Sequence, residues 1–135
     1  MILSREKAEL RSPEAVSEHI RKILRKLDRL DRNKEHFFLI SLNTRSKVKF
    51  VELVSIGTVN SGLVHPREVF RRSILRGASS VIICHNHPSG DPEPSEEDIG
   101  ITRRLIEAGK IIGIEVLDHV IIGSKSVSLK EKGII

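Results

Sequence analysis

Two histidines separated by one residue form the first pattern in this chain that could do chemistry. Alternate residues of a strand point to the same side, so a strand that ends at His85-Asn86-His87 would present both imidazoles to one point. A stretch rich in Pro, Gly and Asp follows, and Ser95 then begins a predicted helix whose first turn contains Asp98. An acid at that place can face back toward the histidine pair. Two imidazoles and one carboxylate, with a fourth position open to water, are the arrangement of a catalytic zinc site.

Each part of this pattern also has a purely structural explanation. Two nearby histidines are often ordinary surface or core residues, and Ser-x-x-Asp resembles the capping box with which helices begin. What favours the metal interpretation is the whole combination at fixed distances: His-x-His, seven residues, Ser, two residues and Asp.

That combination resembles the JAMM signature of the JAB/MPN metalloprotease family, over about residues 12–135. Flanking segments are similar to its bacterial RadC-like branch: Gly57-Thr58, Pro66-Arg67-Glu68-Val69-Phe70, His85-Asn86-His87-Pro88-Ser89-Gly90 and Leu117-Asp118-His119-Val120-Ile121. The resemblance implies an α/β fold, a three-layer αβα sandwich around a mixed sheet with an architecture like that of cytidine deaminases. Longer members of this branch carry a helix-hairpin-helix region, for which this chain has no room, so we expect a short member or an excised domain.

The resemblance also assigns roles to individual residues. It implies that His85, His87 and Asp98 hold Zn²⁺, with water as the fourth ligand. Ser95 matches the serine that hydrogen-bonds the oxyanion or the bound water, and Glu35 stands where the family has its general base. Two other acids are weaker candidates for the base: Glu52, on what resembles the apolar face of a strand, and Glu68, in the first turn of a short helix.

The activity implied is zinc-dependent hydrolysis of a peptide or isopeptide bond in a protein or peptide substrate. The alternative is a DNA-associated repair or recombination module with little or no protease activity, which the excess of 23 basic over 18 acidic residues permits. It would need arginines clustered on one surface: Arg67, Arg71, Arg72, Arg76, Arg103 and Arg104. A silent scaffold is a third possibility, against which the complete ligand set argues.

Composition excludes several other classes. The 135 residues, 39% hydrophobic and 30% charged, suit one globular domain, and no apolar run is long enough to span a membrane. A single cysteine, Cys84, excludes a disulfide framework, a multi-cysteine zinc finger and the Cys-x-x-Cys of the zinc deaminases, and it fits a cytoplasmic location. We expect no membrane association; a homodimer remains open.

Other polar residues of the motif region have weaker cases. Asp118 and His119 could form a second site, but adjacent strand residues point apart. Cys84 should face away from the histidine pair as a small buried hydrophobe, and Asn86 and Ser89 more simply hold the loop.

The surrounding elements follow from periodicity and turn residues. We predict a loose lead-in over 1–11 and a helix from Ser12-Pro13 whose apolar stripe runs from Val16 to Leu30. A second strand begins at Val48, with Val48, Phe50 and Glu52 on one face. The remaining predictions are a strand over 35–42, a turn over 43–46, a loop over 57–62, a helix over 66–76, a buried strand over 79–85, a helix over 95–109, one or two strands over 111–122 and a last strand over 126–129.

Overall fold

The chain forms a mixed sheet with helices on both faces. The computed structural model describes residues 2–4, 10, 12–27, 31, 33–57 and 64–135. Its elements are, in chain order, β1 (Ile2–Ser4), α1 (Pro13–Arg25), β2 (His36–Leu42), β3 (Val48–Ile56), α2 (Pro66–Leu75), β4 (Ser80–Asn86), α3 (Glu96–Ile112), β5 (Glu115–Ile122) and β6 (Ser126–Ser128).

The sheet has six strands in the order β1-β3-β2-β4-β5-β6. The β4–β5 pair is parallel, and the other neighbouring pairs are antiparallel. A parallel pair needs a crossover connection, and α3 provides it. The crossover places the carboxyl end of β4 beside the amino end of α3, and both halves of the predicted metal motif lie there.

Two separate cores cover the two faces of the sheet. On one face, Val16 and Ile20 of α1 pack with Phe38 and Cys84. On the other face, Phe70 of α2 and Ile101 and Leu105 of α3 pack against strand side chains that alternate with those of the first face: Phe37, Leu39 and Ile83. The predicted three-layer αβα sandwich is therefore confirmed, and Cys84 lies in the core on the α1 face as expected.

Helix α3 extends beyond the predicted end at Gly109. It continues to Ile112, and Gly113 with φ +86° is the residue that terminates it. Gly109 is needed for another reason, since a Cβ there would lie 2.4 Å from the Ile114 carbonyl oxygen. The prediction of strand structure at 111–112 is thus wrong, and the following segment contains the single strand β5.

Two further predictions need correction. The lead-in includes β1, which pairs with β3; three residues are too few to show a strand pattern in sequence. Val48 packs in the same core as Val51 rather than on the face of Phe50, because the β2–β3 register shifts between Ser41 and Leu42. Helix α1 begins at the predicted cap, Ser12, and ends at Arg25. The predicted stripe residue Leu30 and most of the loop predicted over 57–62 lie outside the described residues.

Among the described residues, none of the helices combines the length and the apolar character that crossing a membrane requires.

Candidate metal centre

The histidine pair lies at the carboxyl end of the central strand. His85 is fully buried and pairs in register with Phe37 of β2 and Ile121 of β5. His87 comes just after the strand, where its N–H donates to the Ile122 carbonyl at 2.7 Å. Hydrogen bonds on both sides therefore hold the backbone that carries the two rings.

The carboxylate comes from the first turn of α3. Ser95 caps this helix through its hydroxyl, which accepts a hydrogen bond from the Asp98 N–H at 3.0 Å. The Asp98 carboxylate accepts in return from the Ser95 N–H at 2.9 Å, which completes a capping box. Asp98 is 3% exposed, so the cap also fixes the direction of a buried acid.

His85, His87 and Asp98 meet at one point. The two Nε2 atoms lie 2.9 Å apart, His85 Nε2 lies 3.3 Å from Asp98 Oδ1, and His87 Nε2 lies 3.2 Å from Asp98 Oδ2. A tetrahedral metal with ligand bonds of about 2.0–2.1 Å holds its ligand atoms roughly 3.3 Å apart. The closest approaches of the three side chains are near this value, and one ligand atom from each lies within 4.8 Å of the others, so the group could hold a metal ion.

The hydrogen bonds on the far side of His87 show what its near side offers. His87 Nδ1 lies 2.8 Å from the backbone carbonyl of Asp91, which can only accept, so Nδ1 carries the hydrogen. In a neutral ring, Nε2 then directs a lone pair at Asp98. A lone pair and a carboxylate facing each other lack an attractive partner until a cation lies between them, so the donor set fits a metal.

Asp98 is held ionised. Burial alone would raise the pKa of its carboxyl, but the adjacent His85 ring and the hydrogen bonds with Ser95 outweigh burial and hold the pKa below its ordinary 3.8. The anionic form is the one that a metal requires.

A third histidine, which sequence reasoning placed outside the site, touches the cluster. His119 of β5 is fully buried, and its Nε2 lies 2.7 Å from His85 Nδ1. Its Nδ1 lies 2.5 Å from the Thr102 hydroxyl, which donates to the Asp98 backbone carbonyl at 2.6 Å. Burial, ahead of the electrostatic effect of the adjacent His85 ring, lowers the pKa of His119 well below its ordinary 6.5. The sequence held only a weak signal for this hydrogen-bond network, namely that Thr102 follows Asp98 by one helical turn.

Glu35, the predicted general base, lies immediately before β2. Its carbonyl accepts a hydrogen bond from Gly57 N–H at 2.8 Å. It lines a surface cleft of about 430 Å³ together with Lys34, Gly57 and Pro88. Pro88, which lines this cleft, directly follows the ligand candidate His87 in the chain.

Asn86 fixes the backbone on both sides of Glu35. It is 6% exposed and lies between the two histidines in sequence, with its side chain directed toward β2. Its Oδ1 accepts from the His36 N–H at 2.6 Å, and its Nδ2 donates to the Lys34 carbonyl at 3.1 Å. The expected loop role of Asn86 is therefore replaced by a link between the metal motif and the Glu35 segment.

Comparison with known proteins identifies the family. The family model described as the RadC-like JAB domain matches residues 10–134. The chain belongs to the RadC-like JAB domain family. Similar proteins, each named "UPF0758 protein", occur in Desulforamulus reducens (57% identical over 127 residues, 93% of this chain and 54% of that one) and Caldanaerobacter subterraneus subsp. tengcongensis (59% over 102 residues, 75% and 44%). One from Bacillus cereus is 53% identical over 125 residues, 92% of this chain and 53% of that one. The JAB domain thus spans about half the length of these relatives.

The other candidate bases of the JAB domain are bound to arginines of α2. Glu52 is buried and contacts Arg76 Nε at 2.8 Å and Arg72 Nη1 at 3.3 Å. Glu68 contacts Arg71 Nη2 at 3.1 Å, and this hydrogen bond lowers the pKa of its carboxyl. Both carboxylates are therefore engaged in ion pairs with arginines of α2.

The same contacts bear on the arginines considered for DNA. Three of the six pair with carboxylates, whereas the described residues show no ion pair for the exposed Arg67, Arg103 and Arg104. Pairing with acids reduces the positive charge that α2 presents to a polyanion.

Asp118 and His119 point apart, as expected for neighbours on a strand. The Asp118 carboxylate accepts from Ser128 Oγ at 2.5 Å and from the Lys130 N–H at 3.1 Å. Asp118 therefore anchors the turn after β6, and only His119 faces the metal centre.

Proposed function

We propose that this JAB domain is a zinc-dependent hydrolase of peptide or isopeptide bonds. The observation that carries the proposal is the convergence of His85, His87 and Asp98 at the end of the central strand, where one ligand atom from each residue lies within 4.8 Å of the others. Two imidazoles and one carboxylate suit Zn²⁺ and leave a fourth position for water or substrate.

The ligand set is held in place by the fold. His85 and His87 lie on one strand and its immediate extension, and the capping box fixes Asp98. When bound, zinc lowers the pKa of its water to about 7 and polarises a carbonyl oxygen. The relatives are about twice as long as this chain. That a whole protein of this length has the same activity is part of the proposal.

Glu35 is the proposed general base. Its place in a surface cleft that is also lined by Pro88, the residue that follows His87, supports this role. The Glu35 carboxylate accepts a proton from the attacking water and passes it to the leaving amine, so that hydrolysis yields a free amine and a carboxylate.

Ser95 is the proposed donor to the oxyanion. Its Oγ uses one lone pair to accept the Asp98 N–H, and its own hydroxyl hydrogen is free for a second bond. The capping role and the catalytic role are therefore compatible, because they use different parts of the hydroxyl group. Stabilisation of developing negative charge by such a donor is worth about 10²–10³ in rate.

Metal binding is tested first. We expect one zinc per chain in protein purified without chelators and strong loss of zinc in His87→Ala. The matched control is His65→Asn, which removes a histidine but keeps a side chain able to cap α2, where His65 accepts from Arg67 N–H. Stoichiometry by mass spectrometry and zinc titration measure both. Wild-type protein without zinc, or His87→Ala with undiminished zinc, contradicts the proposal.

Hydrolysis is tested on a randomised peptide library that includes lysine-branched isopeptides. Glu35→Gln should bind zinc as wild type does and lose turnover by about 10²-fold or more. Glu96→Gln, at an exposed acid in the first turn of α3, should keep turnover. A zinc-loaded wild type that cleaves no member of the library, but whose mobility shift with duplex DNA falls steeply with salt, would instead support the DNA-associated alternative.

A further inference from the structure

A continuous chain of hydrogen bonds connects two of the proposed metal ligands behind the metal centre. It runs from the backbone carbonyl of Asp98 to the Thr102 hydroxyl (2.6 Å), to His119 Nδ1 (2.5 Å), and from His119 Nε2 to His85 Nδ1 (2.7 Å). Thr102, His119 and His85 are all fully buried. Water is therefore kept from these side chains.

The direction of every hydrogen bond follows from the first one. The Asp98 carbonyl can only accept, so the single hydroxyl hydrogen of Thr102 must point at it. The contact between Thr102 Oγ1 and His119 Nδ1 then needs a hydrogen from the ring, so His119 carries its proton on Nδ1. A buried ring without a carboxylate partner is favoured in its neutral form, which leaves a lone pair on Nε2.

The same reasoning fixes the hydrogen on His85. The lone pair of His119 Nε2 faces His85 Nδ1, so His85 must carry its proton on Nδ1. The neutral His85 ring then has its lone pair on Nε2, the atom that lies 2.9 Å from His87 Nε2 and 3.3 Å from Asp98 Oδ1. Reversing any bond in the chain would place two hydrogens or none between a pair of atoms. The assigned direction leaves lone pairs on both His85 Nε2 and His87 Nε2, which is the arrangement that a bound cation completes.

We propose that His119 is a positioning residue that locks His85 in the tautomer able to bind metal. This inference rests on the proposed metal site and adds to it a residue that is not a ligand. His87 receives the equivalent lock from the Asp91 carbonyl, a backbone group, whereas the lock on His85 depends on two side chains. Outer partners of this kind typically contribute 10–100-fold in metal affinity.

The first test observes the tautomer in metal-free protein by long-range ¹H–¹⁵N NMR at pH 8. In wild type, we expect His85 to be protonated at Nδ1 alone. In Thr102→Val, which loses the hydroxyl with little change in shape, His119 is no longer directed and His85 should show a mixture of tautomers. A wild-type His85 protonated at Nε2 overturns the proposal, whether or not the protein binds zinc.

The second test measures affinity for zinc alone. His119→Leu should weaken binding by 10–100-fold, whereas His119→Gln should recover part of it, because its amide oxygen can accept from His85 and its amide nitrogen can donate to Thr102. The control is Asp118→Asn, which disturbs a neighbouring network on the opposite face of β5 and should leave zinc affinity unchanged.

The outcomes separate the two proposals. Zinc affinity that is the same in His119→Leu and wild type refutes the lock while leaving the metal site intact. Wild type that binds no zinc refutes the metal site, and the NMR measurement still decides the tautomer. If His119→Leu fails to fold, Thr102→Val carries both measurements.

Discussion

Replacing Asn86 by alanine tests the Glu35 segment of the proposed active site independently of the proposed metal ligands. The Asn86 side chain bonds to the backbone on both sides of Glu35, through the His36 N–H and the Lys34 carbonyl. The proposed zinc ligands lie at the end of β4 and in α3, and this side chain makes none of their contacts with one another. We therefore expect Asn86→Ala to affect stability and turnover more than zinc affinity.

The size of the stability change follows from the groups left behind. Without Asn86, the buried His36 N–H loses its bond at 2.6 Å, whereas the Lys34 carbonyl keeps its bond with His36 Nδ1 at 2.9 Å. One buried donor without a partner costs about 1–3 kcal/mol. The unfolding free energy should fall by that amount. Turnover should fall by about 10²-fold if the Glu35 segment shifts by roughly 1 Å.

Urea unfolding, zinc titration and turnover are measured on the same preparations. The matched control is Asn43→Ala, since Asn43 Oδ1 also accepts from two backbone groups, the Arg45 and Lys47 N–H, at the hairpin turn between β2 and β3. Water can reach that exposed turn, so the control should lose about 1 kcal/mol or less and keep its turnover. An Asn86→Ala variant with wild-type stability and turnover would refute the argument.

Three further predictions concern stability and reactivity. Gly109→Ala should destabilise the domain by about 1–3 kcal/mol because its Cβ would lie 2.4 Å from the Ile114 carbonyl oxygen. Gly100→Ala on the same helix, with open space around it, should stabilise the domain by up to about 1 kcal/mol, and equal urea midpoints for the two variants would contradict this. Metal-free protein should lose stability as the pH falls below 6.5, because the unfolded chain takes up a proton at His119 that the folded chain, with its lowered pKa, does not. Urea midpoints between pH 8 and pH 5 should decline less in His119→Gln than in wild type, and an equal decline in the two proteins would contradict this. Cys84 should not react with a thiol reagent at pH 8 until the protein unfolds, because burial raises its thiol pKa well above the ordinary 9.0; rapid labelling of folded protein would show otherwise.

The sequence could predict the grouping of His85, His87 and Asp98 because each half of this candidate site is local. His85 and His87 are brought together by the alternation of one strand, and Asp98 is fixed by its distance from a helix cap. Only the meeting of the two halves needs the tertiary fold, and a connection of seven residues between His87 and Ser95 keeps them close.

His119 was missed for the opposite reason. It reaches His85 only because β5 lies parallel to β4 with Ile83 in register with His119, and a register between strands 34 residues apart is not written in local spacing. The end of α3 was misplaced because the sequence does not distinguish a glycine that allows close packing within a helix from a glycine that ends the helix. Gly109 and Gly113 differ only in their surroundings.

The double use of Asp98 limits how this domain can vary. Its carboxylate both completes the capping box and faces the two imidazoles. A glutamate could still coordinate a cation, but its longer side chain would start from a different distance to the Ser95 amide, and the first turn of α3 would lose its partner. A substitution of Asp98 therefore alters both the candidate ligand set and the start of α3, so the order of that first turn and the capacity to bind a cation should change together.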